Sequence, residues 1–131
     1  MQNIPFSPPF IDERVISEVN EVLNSGWITT GPKCIQLEDR VSSYLGVNAT
    51  VSCNSWSSGA QIVLRLLGIG EGDEVIIPNY TYAATLLAVY HVGATPVIVD
   101  VDENYQIDLS NVMEAITPKT KAIIPVDIGG L

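Results

Sequence analysis

A run of small polar residues stands near the middle of the chain and leads into an apolar run at residues 62–67. It reads Val51-Ser52-Cys53-Asn54-Ser55-Trp56-Ser57-Ser58-Gly59-Ala60. In a helix that begins here, the first-turn N–H groups have no intrahelical partner and the helix dipole is positive. Serine hydroxyls add further donors, so the segment has the chemistry of a phosphate site.

The same residue types also have an ordinary structural explanation. Asn, Ser and Gly before an apolar run are common helix N-caps that bind nothing. The glycine spacing fits neither the P-loop nor the dinucleotide fingerprint. A nicotinamide dehydrogenase is disfavoured for the same reason, because Gly68-Ile69-Gly70 precedes a predicted strand and does not follow one. The segment alone leaves capping and phosphate binding open.

Composition narrows the class of protein. The 131 residues are 47% hydrophobic and 16% charged, which is typical of a folded globular domain. A net charge of −9 argues against nucleic acid or an anionic membrane as partner. Two cysteines and one histidine give no metal spacing and no disulfide framework. No apolar run is long enough for a membrane span and no secretory signal begins the chain, so we expect a cytoplasmic setting.

Residues 1–49 are predicted to form an extended arm and two amphipathic helices. Three prolines between Pro5 and Phe10 favour the arm. Asp12 is a predicted N-cap, and Gly26 is the predicted end of the first helix. The second helix is predicted to start at Pro32 and to stop at Gly46.

Residues 50–131 are predicted to form an α/β domain. Strands are expected at residues 50–53, 74–78, 95–101 and 121–126, and helices at 58–67, 82–92 and 109–116. The apolar runs at 75–77 and 122–124 do not alternate, which is typical of strands buried on both faces of a mostly parallel sheet. The pattern predicts a three-layer α/β/α fold with ligands at the carboxyl ends of the strands. The chain stops at Leu131, directly after a buried-type strand, so we expect a fragment of a longer polypeptide.

Several blocks taken in order resemble one known family. They are residues 26–32 (GWITTGP), 54–58 (NSWSS), 68–78 (GIGEGDEVIIP), 80–85 (YTYAAT), 92–100 (VGATPVIVD) and 117–126 (TPKTKAIIPV). Together they are similar to the DegT/DnrJ/EryC1/StrS family of sugar aminotransferases, which depend on pyridoxal 5′-phosphate (PLP). The resemblance covers essentially the whole chain. It implies the first part of the large domain of a fold-type-I PLP enzyme.

The resemblance implies a role for three residues in binding the cofactor. Ser57 and Ser58 match the turn that holds the cofactor phosphate. Tyr82 matches an aromatic position whose ring stacks on the pyridine ring of PLP. Without the resemblance, the simpler expectation for Tyr82 is a core aromatic on a helix face.

The resemblance also implies residues that meet the substrate, a nucleotide-linked sugar. Phe6, Trp27 and Thr29 match the arm and loop that contact it, although packing over a helix end is the simpler expectation for Trp27. Trp56 stands where the family usually has a small residue, and we place it with the substrate-binding residues. Asp127 replaces a histidine that is common after the last strand, and a carboxylate changes the polarity and charge of that edge.

The implied activity is transfer of an amino group, with glutamate as donor, to a nucleotide-linked keto-sugar by a ping-pong mechanism. A cytoplasmic homodimer with sites at the subunit interface is implied too. The Schiff-base lysine and the acidic partner of the pyridinium nitrogen lie beyond this chain in the family, so no catalytic residue and no activity are expected within it. Its own lysines are interpreted as solvated charges: Lys33, Lys119 and Lys121. Three alternatives remain open, namely a deoxysugar dehydratase, the same chemistry on a non-sugar ketone, and a non-catalytic regulatory relative.

Overall fold

The computed structural model of the chain describes residue 5 and residues 7–130. The predicted sugar contact Phe6 lies outside the described residues. The chain divides into two compact units between Ser52 and Cys53. In the described part, no helix is both long and apolar enough to cross a bilayer.

The first unit contains two helices whose ends are set by local chemistry. Helix α1 spans Glu13–Ser25, and the Asp12 side chain accepts a hydrogen bond of 2.9 Å from the Val15 N–H at its start. Gly26 closes it with a φ of 71°, a left-handed conformation that glycine adopts without a steric cost. Helix α2 spans Pro32–Leu45, with its proline in the first turn as predicted. Both predicted helices are confirmed.

An ion-pair cluster links the two helices. The Lys33 ammonium at the start of α2 donates hydrogen bonds to the carboxylates of Glu18 and Glu21 on α1. Hydrogen bonding to Glu18 and then Glu21 raises the pKa of Lys33, and the same contact lowers the pKa of Glu18. Lys33 is a surface charge as interpreted, since its side chain is 41% exposed, but it is also ion-paired. Because the pairs are partly exposed, they contribute modestly to stability.

The predicted strand at residues 50–53 is wrong, since this segment is irregular. A strand needs backbone hydrogen bonds to a neighbouring strand, and here a side chain accepts the backbone hydrogen bond instead. Both the N–H and the hydroxyl of Ser52 donate to Glu38 Oε1 on α2, at 2.8 and 2.7 Å. The Thr50 hydroxyl pairs with the Ser42 hydroxyl at 2.7 Å. Residues 50–52 are thus held by α2 within the first unit.

This anchor predicts a pH dependence of stability. Hydrogen bonds from the Ser52 side chain and backbone lower the pKa of Glu38. A carboxylate whose pKa is lowered by folding stabilises the protein above the unfolded-state pKa, and the stabilisation is lost as the pH falls through the folded-state pKa. Glu38→Gln is therefore expected to destabilise the chain at neutral pH, with a difference from wild type that disappears in acid. Urea unfolding across the acid range measures this difference. The exposed Glu114→Gln is the control, and equal pH profiles for the two variants would contradict the prediction.

The second unit is built on a three-stranded parallel sheet. Strands β1 (Glu74–Pro78), β2 (Thr95–Val99) and β3 (Thr120–Ile123) lie in the order β2-β1-β3. The strand at 74–78 is confirmed. The other two strands are shorter than predicted. Beyond Val99 the chain leaves the sheet and forms an antiparallel bridge between Val101 and Ile107. Strand β3 ends at Ile123, three residues before the predicted end.

Helices cover both faces of this sheet. They are α3 (Trp56–Leu66), α4 (Ala84–His91) and α5 (Leu109–Ala115). On one face, Val75 and Ile77 pack in a cluster with residues of α3 and α4, and on the other face Ile76 packs with Val112 of α5. The predicted three-layer α/β/α arrangement with a parallel sheet is therefore confirmed.

Candidate functional site

The N-terminal end of α3 is capped, and several of its hydrogen-bond donors have no partner among the described residues. Ser55 is the N-cap, and its hydroxyl oxygen accepts from the Ser58 N–H at 3.2 Å. The Ser55 hydroxyl also donates to the Ser58 hydroxyl oxygen at 3.1 Å. Among the described residues, no hydrogen bond engages the Ser57 hydroxyl or the N–H groups of Trp56 and Ser57. Ser57 and Ser58 are only half-buried, so these donors remain accessible.

Helices α3 and α4 run in the same sense. They pack along one another, and their C-terminal ends meet where the Arg65 guanidinium donates to the His91 carbonyl at 3.4 Å. The links that follow the two helices also lie together, since the Thr95 N–H donates to the Asp73 carbonyl at 2.9 Å. Both helices therefore end at the amino edge of the sheet, and both begin toward its carboxyl edge. This places Ser57 and Tyr82 toward the same edge.

Tyr82 lies in the connection between β1 and α4. Its side chain is 84% exposed, so the alternative of a core aromatic is wrong. The predicted helix at 82–92 begins two residues later than expected, at Ala84. The Tyr82 carbonyl accepts a hydrogen bond of 3.0 Å from the Thr85 N–H. Its ring is thus presented to solvent by an ordered backbone.

Two further contacts at this edge were not singled out from the sequence. The Asn79 side chain after β1 donates to the Asp100 carboxylate after β2, which ties the two strand ends together. The rings of Tyr80 and Tyr105 pack with their centroids 5.1 Å apart. Tyr105 has a φ of 63°, a left-handed conformation that is costly for a bulky residue. The predicted strands at 74–78 and 95–101 place residues 79–82 and 102–104 directly after strand ends, but the sequence did not predict which of these residues contact one another.

The predicted sugar-contact loop belongs to the first unit. The Trp27 indole N–H donates to the Thr30 carbonyl at 2.8 Å. A Cβ at Gly31 would lie 2.4 Å from Trp27 Cδ1, so the indole packs directly over the start of α2. This is the simpler arrangement expected for a tryptophan at a helix end. The ring remains 58% exposed, and Thr29 is exposed in the same loop.

Comparison with known proteins decides the family. The model of the DegT/DnrJ/EryC1/StrS aminotransferase family matches residues 9–131. The chain belongs to this family.

Relatives within the DegT/DnrJ/EryC1/StrS family are close in sequence. The UDP-4-amino-4-deoxy-L-arabinose–oxoglutarate aminotransferase of Shewanella sediminis is 46% identical over 128 residues, which cover 97% of this chain and 33% of the relative. The spore coat polysaccharide biosynthesis protein SpsC of Bacillus subtilis is 42% identical, with the same coverage. The chain therefore spans about a third of the length of these relatives.

A solved structure of the same family agrees over nearly the whole chain. Spr1654 of Streptococcus pneumoniae superposes with a TM-score of 0.91 at 50% identity, covering 98% of this chain and 33% of that one. It has been solved in a PLP form, a form with pyridoxamine phosphate (PMP) and an apo form. The α/β architecture of the second unit is thus that of fold-type-I PLP enzymes.

The structure places the two positions that the sequence analysis interpreted as departures from the pattern of the DegT/DnrJ/EryC1/StrS family. Trp56 is the first residue of α3 and its side chain is 53% exposed, so the indole does not fill the interior of the unit. Asp127 is exposed after β3, and its carbonyl accepts from the Gly130 N–H at 3.1 Å in the short turn Ile128–Gly130.

The remaining lysines of this family member lie away from Tyr82. The Lys119 carbonyl accepts from the N–H of Glu74, the first residue of β1, at 2.9 Å, which places Lys119 at the amino edge. Lys119 and Lys121 are exposed, as predicted. Within residues 5 and 7–130, no group of three or more His, Cys, Asp or Glu side chains is arranged to hold a metal ion.

Proposed function

We propose that the whole protein is a PLP-dependent aminotransferase that converts a nucleotide-linked keto-sugar to an amino-sugar, with glutamate as donor. Family membership and the similarity to a UDP-amino-sugar–oxoglutarate aminotransferase support this assignment. Glutamate is the amino acid that yields 2-oxoglutarate when it gives up its amino group. The proposal includes a cytoplasmic homodimer, with sites completed at the subunit interface.

The start of α3 carries the proposal. A phosphate group needs several donors in a region of positive potential, and a helix N-terminus supplies both. Here the N–H groups of Trp56 and Ser57 and the Ser57 hydroxyl are unengaged among the described residues, while Ser55 caps the helix. The residues present therefore fit the phosphate of PLP. Trp56 does not prevent this, because its N–H is available whichever way its half-exposed indole turns.

Tyr82 supplies the second element of the proposed cofactor site. A flat, exposed phenol ring stabilises a heterocycle by stacking, and its 84% exposure leaves a ring face free for that contact. Ser57 and Tyr82 lie toward the same edge of the sheet, which suits a ligand with a phosphate at one end and an aromatic ring at the other. In this proposal Phe6, Trp27, Thr29 and Trp56 contact the sugar nucleotide.

The chain's own residues bind and orient, and the proton-transferring groups are proposed to lie elsewhere in the whole protein. Bound PLP supplies an electron sink for breaking bonds at the carbon that carries the amino group. Ser57 and Ser58 fix the phosphate end, and Tyr82 limits tilting of the ring. Because Lys33 is paired and Lys119 is at the amino edge, we propose that this chain alone does not transaminate.

The whole protein, purified without cofactor, tests the proposal. We expect PMP to bind and Tyr82→Leu to weaken its binding by roughly 3- to 10-fold, since an aromatic pair contributes about 0.5–1.5 kcal/mol beyond buried area. We also expect glutamate to convert the PLP form to the PMP form with release of 2-oxoglutarate. Titration by absorbance measures the first result, and the change in the cofactor spectrum measures the second.

The control for this test is Tyr90→Leu, because Tyr90 is an exposed tyrosine near the far end of α4. It should bind PMP as wild type does. Wild-type protein that binds PMP but reacts with no amino donor would favour the non-catalytic relative. Failure to bind PMP would overturn the proposed cofactor site.

A further inference from the structure

Thr85 is a buried polar residue close to the proposed stacking residue. It lies in the first turn of α4 and is only 4% exposed. Its hydroxyl lies 2.8 Å from the hydroxyl of Thr81. Its backbone N–H donates to the carbonyl of Tyr82 at 3.0 Å. One residue thus holds the side chain before Tyr82 and the backbone of Tyr82 itself.

The exposure of Tyr82 makes this double contact significant. A side chain that is 84% exposed has little packing to fix its direction, so its backbone must set it. Helix α4 has no side-chain cap, because its N-cap residue is Ala83. The Thr81–Thr85 hydroxyl pair therefore provides a side-chain contact that ties the connection after β1 to the first turn of α4. A buried hydroxyl is costly without a partner, so the pair is expected to remain formed.

We infer that Thr85 is a positioning residue for the cofactor, acting through Thr81 and Tyr82 to hold the Tyr82 ring at the angle that stacking requires. This inference rests on the proposed function, because it assumes that Tyr82 contacts the pyridine ring. Stacking and catalytic geometries are productive only when the supporting residues fix the ring within a narrow range. Thr85 touches neither cofactor nor substrate in this role.

The test is a double-mutant cycle on the whole protein with PMP as the probe. Thr85→Val keeps the branched shape and removes the hydroxyl. We expect it to weaken PMP binding by about 3- to 10-fold, comparable to the loss of one hydrogen bond. In a Tyr82→Leu background the same substitution is expected to have almost no further effect, because coupled residues are not additive. Thr85→Ser retains the hydroxyl and should restore the wild-type affinity.

A purely structural role would give a different result. Thr85→Val would then weaken binding equally in the wild-type and Tyr82→Leu backgrounds, and it would leave the circular dichroism of the bound cofactor unchanged. Full additivity in the cycle, or wild-type affinity in Thr85→Val, overturns the inference. If Thr85→Val does not fold, Thr81→Val is the substitute, because Thr81 is half-buried and its hydroxyl makes the same hydrogen bond. Its effect on PMP binding is then measured in the same double-mutant cycle.

The controls separate this inference from the proposed function. Thr50→Val breaks a matched hydroxyl pair in the first unit, Ser42–Thr50, and should leave PMP affinity unchanged. If wild type binds PMP and Tyr82→Leu weakens binding while Thr85→Val does not, only the positioning role fails. If wild type does not bind PMP, the proposed function fails and the inference fails with it.

Discussion

Replacing Ser57 with aspartate is expected to weaken PMP binding by the whole protein by at least about 30-fold, or roughly 2 kcal/mol. The new carboxylate would lie beside the proposed phosphate, which in wild type would accept hydrogen bonds from the Ser57 hydroxyl and from the first-turn N–H groups. Two like charges about 4 Å apart repel by several kcal/mol at the effective dielectric constant of a protein surface. The same substitution favours folding, because an acidic side chain in a first helical turn interacts well with the helix dipole. Binding and stability are therefore expected to change in opposite directions.

Ser57→Asn is the matched control for that experiment. Asparagine has nearly the shape of aspartate and no charge, so the difference between the two variants isolates the electrostatic contribution. Isothermal titration with PMP gives the affinities, and thermal unfolding confirms that both variants fold. Added salt should reduce the difference by screening the charges. Equal affinities for Ser57→Asp and Ser57→Asn would show that the phosphate does not bind at the start of α3.

Local signals predicted the helices of the first unit well because their ends are decided by nearest neighbours. Asp12 caps α1 with its own side chain, and Gly26 ends that helix with a left-handed φ that needs no distant partner. At α3 the capping contact of Ser55 also spans only three residues, although this helix was predicted to begin at residue 58 and begins at Trp56. Chemistry of this range is present in the sequence itself.

Strands were less predictable because they depend on partners remote in the chain. The apolar run at 75–77 was recognised as a strand because a strand that is buried on both faces is apolar at successive positions. Residues 50–53 (TVSC) were also predicted as a strand, but the Ser52 N–H donates to the Glu38 carboxylate, fourteen positions away, and not to a neighbouring strand. The local sequence does not indicate whether this N–H bonds to a distant side chain or to a neighbouring strand.

In the candidate site too, features set by local sequence were predicted, and contacts between remote residues were not. Ser57, Ser58 and Tyr82 were found from motifs, and the structure presents them as accessible. The contacts that support them were not found, because Asn79–Asp100 joins separate strand ends. The burial of Thr85 likewise depends on how α4 packs on the sheet. Sequence reasoning thus identified the accessible residues of the candidate site more readily than the long-range contacts around them.

The central strand is expected to be the most sensitive part of the second unit to truncation. Ile76 is fully buried in β1 between β2 and β3, and it packs with Val99 and Val112. Ile76→Ala is expected to lower the free energy of unfolding of the 131-residue chain by about 2–5 kcal/mol, from lost burial and the cavity left behind. Such a loss is a large share of the roughly 5–15 kcal/mol that stabilises a typical domain.

A graded series distinguishes this effect from a general sensitivity of the sheet to mutation. Ile76→Val should cost only about 0.5–1.5 kcal/mol, because it removes a single methyl group. Ile98→Ala is the exposed counterpart, since Ile98 lies on β2 opposite Ile77 and is 54% exposed, and it should cost less than about 1 kcal/mol. Urea unfolding followed by circular dichroism gives the three values, and equal losses at positions 76 and 98 would contradict the assigned core. Because Asn79, Tyr80 and Tyr82 continue directly from β1, the strand that stabilises the unit is also the one that carries its candidate ligand-binding edge.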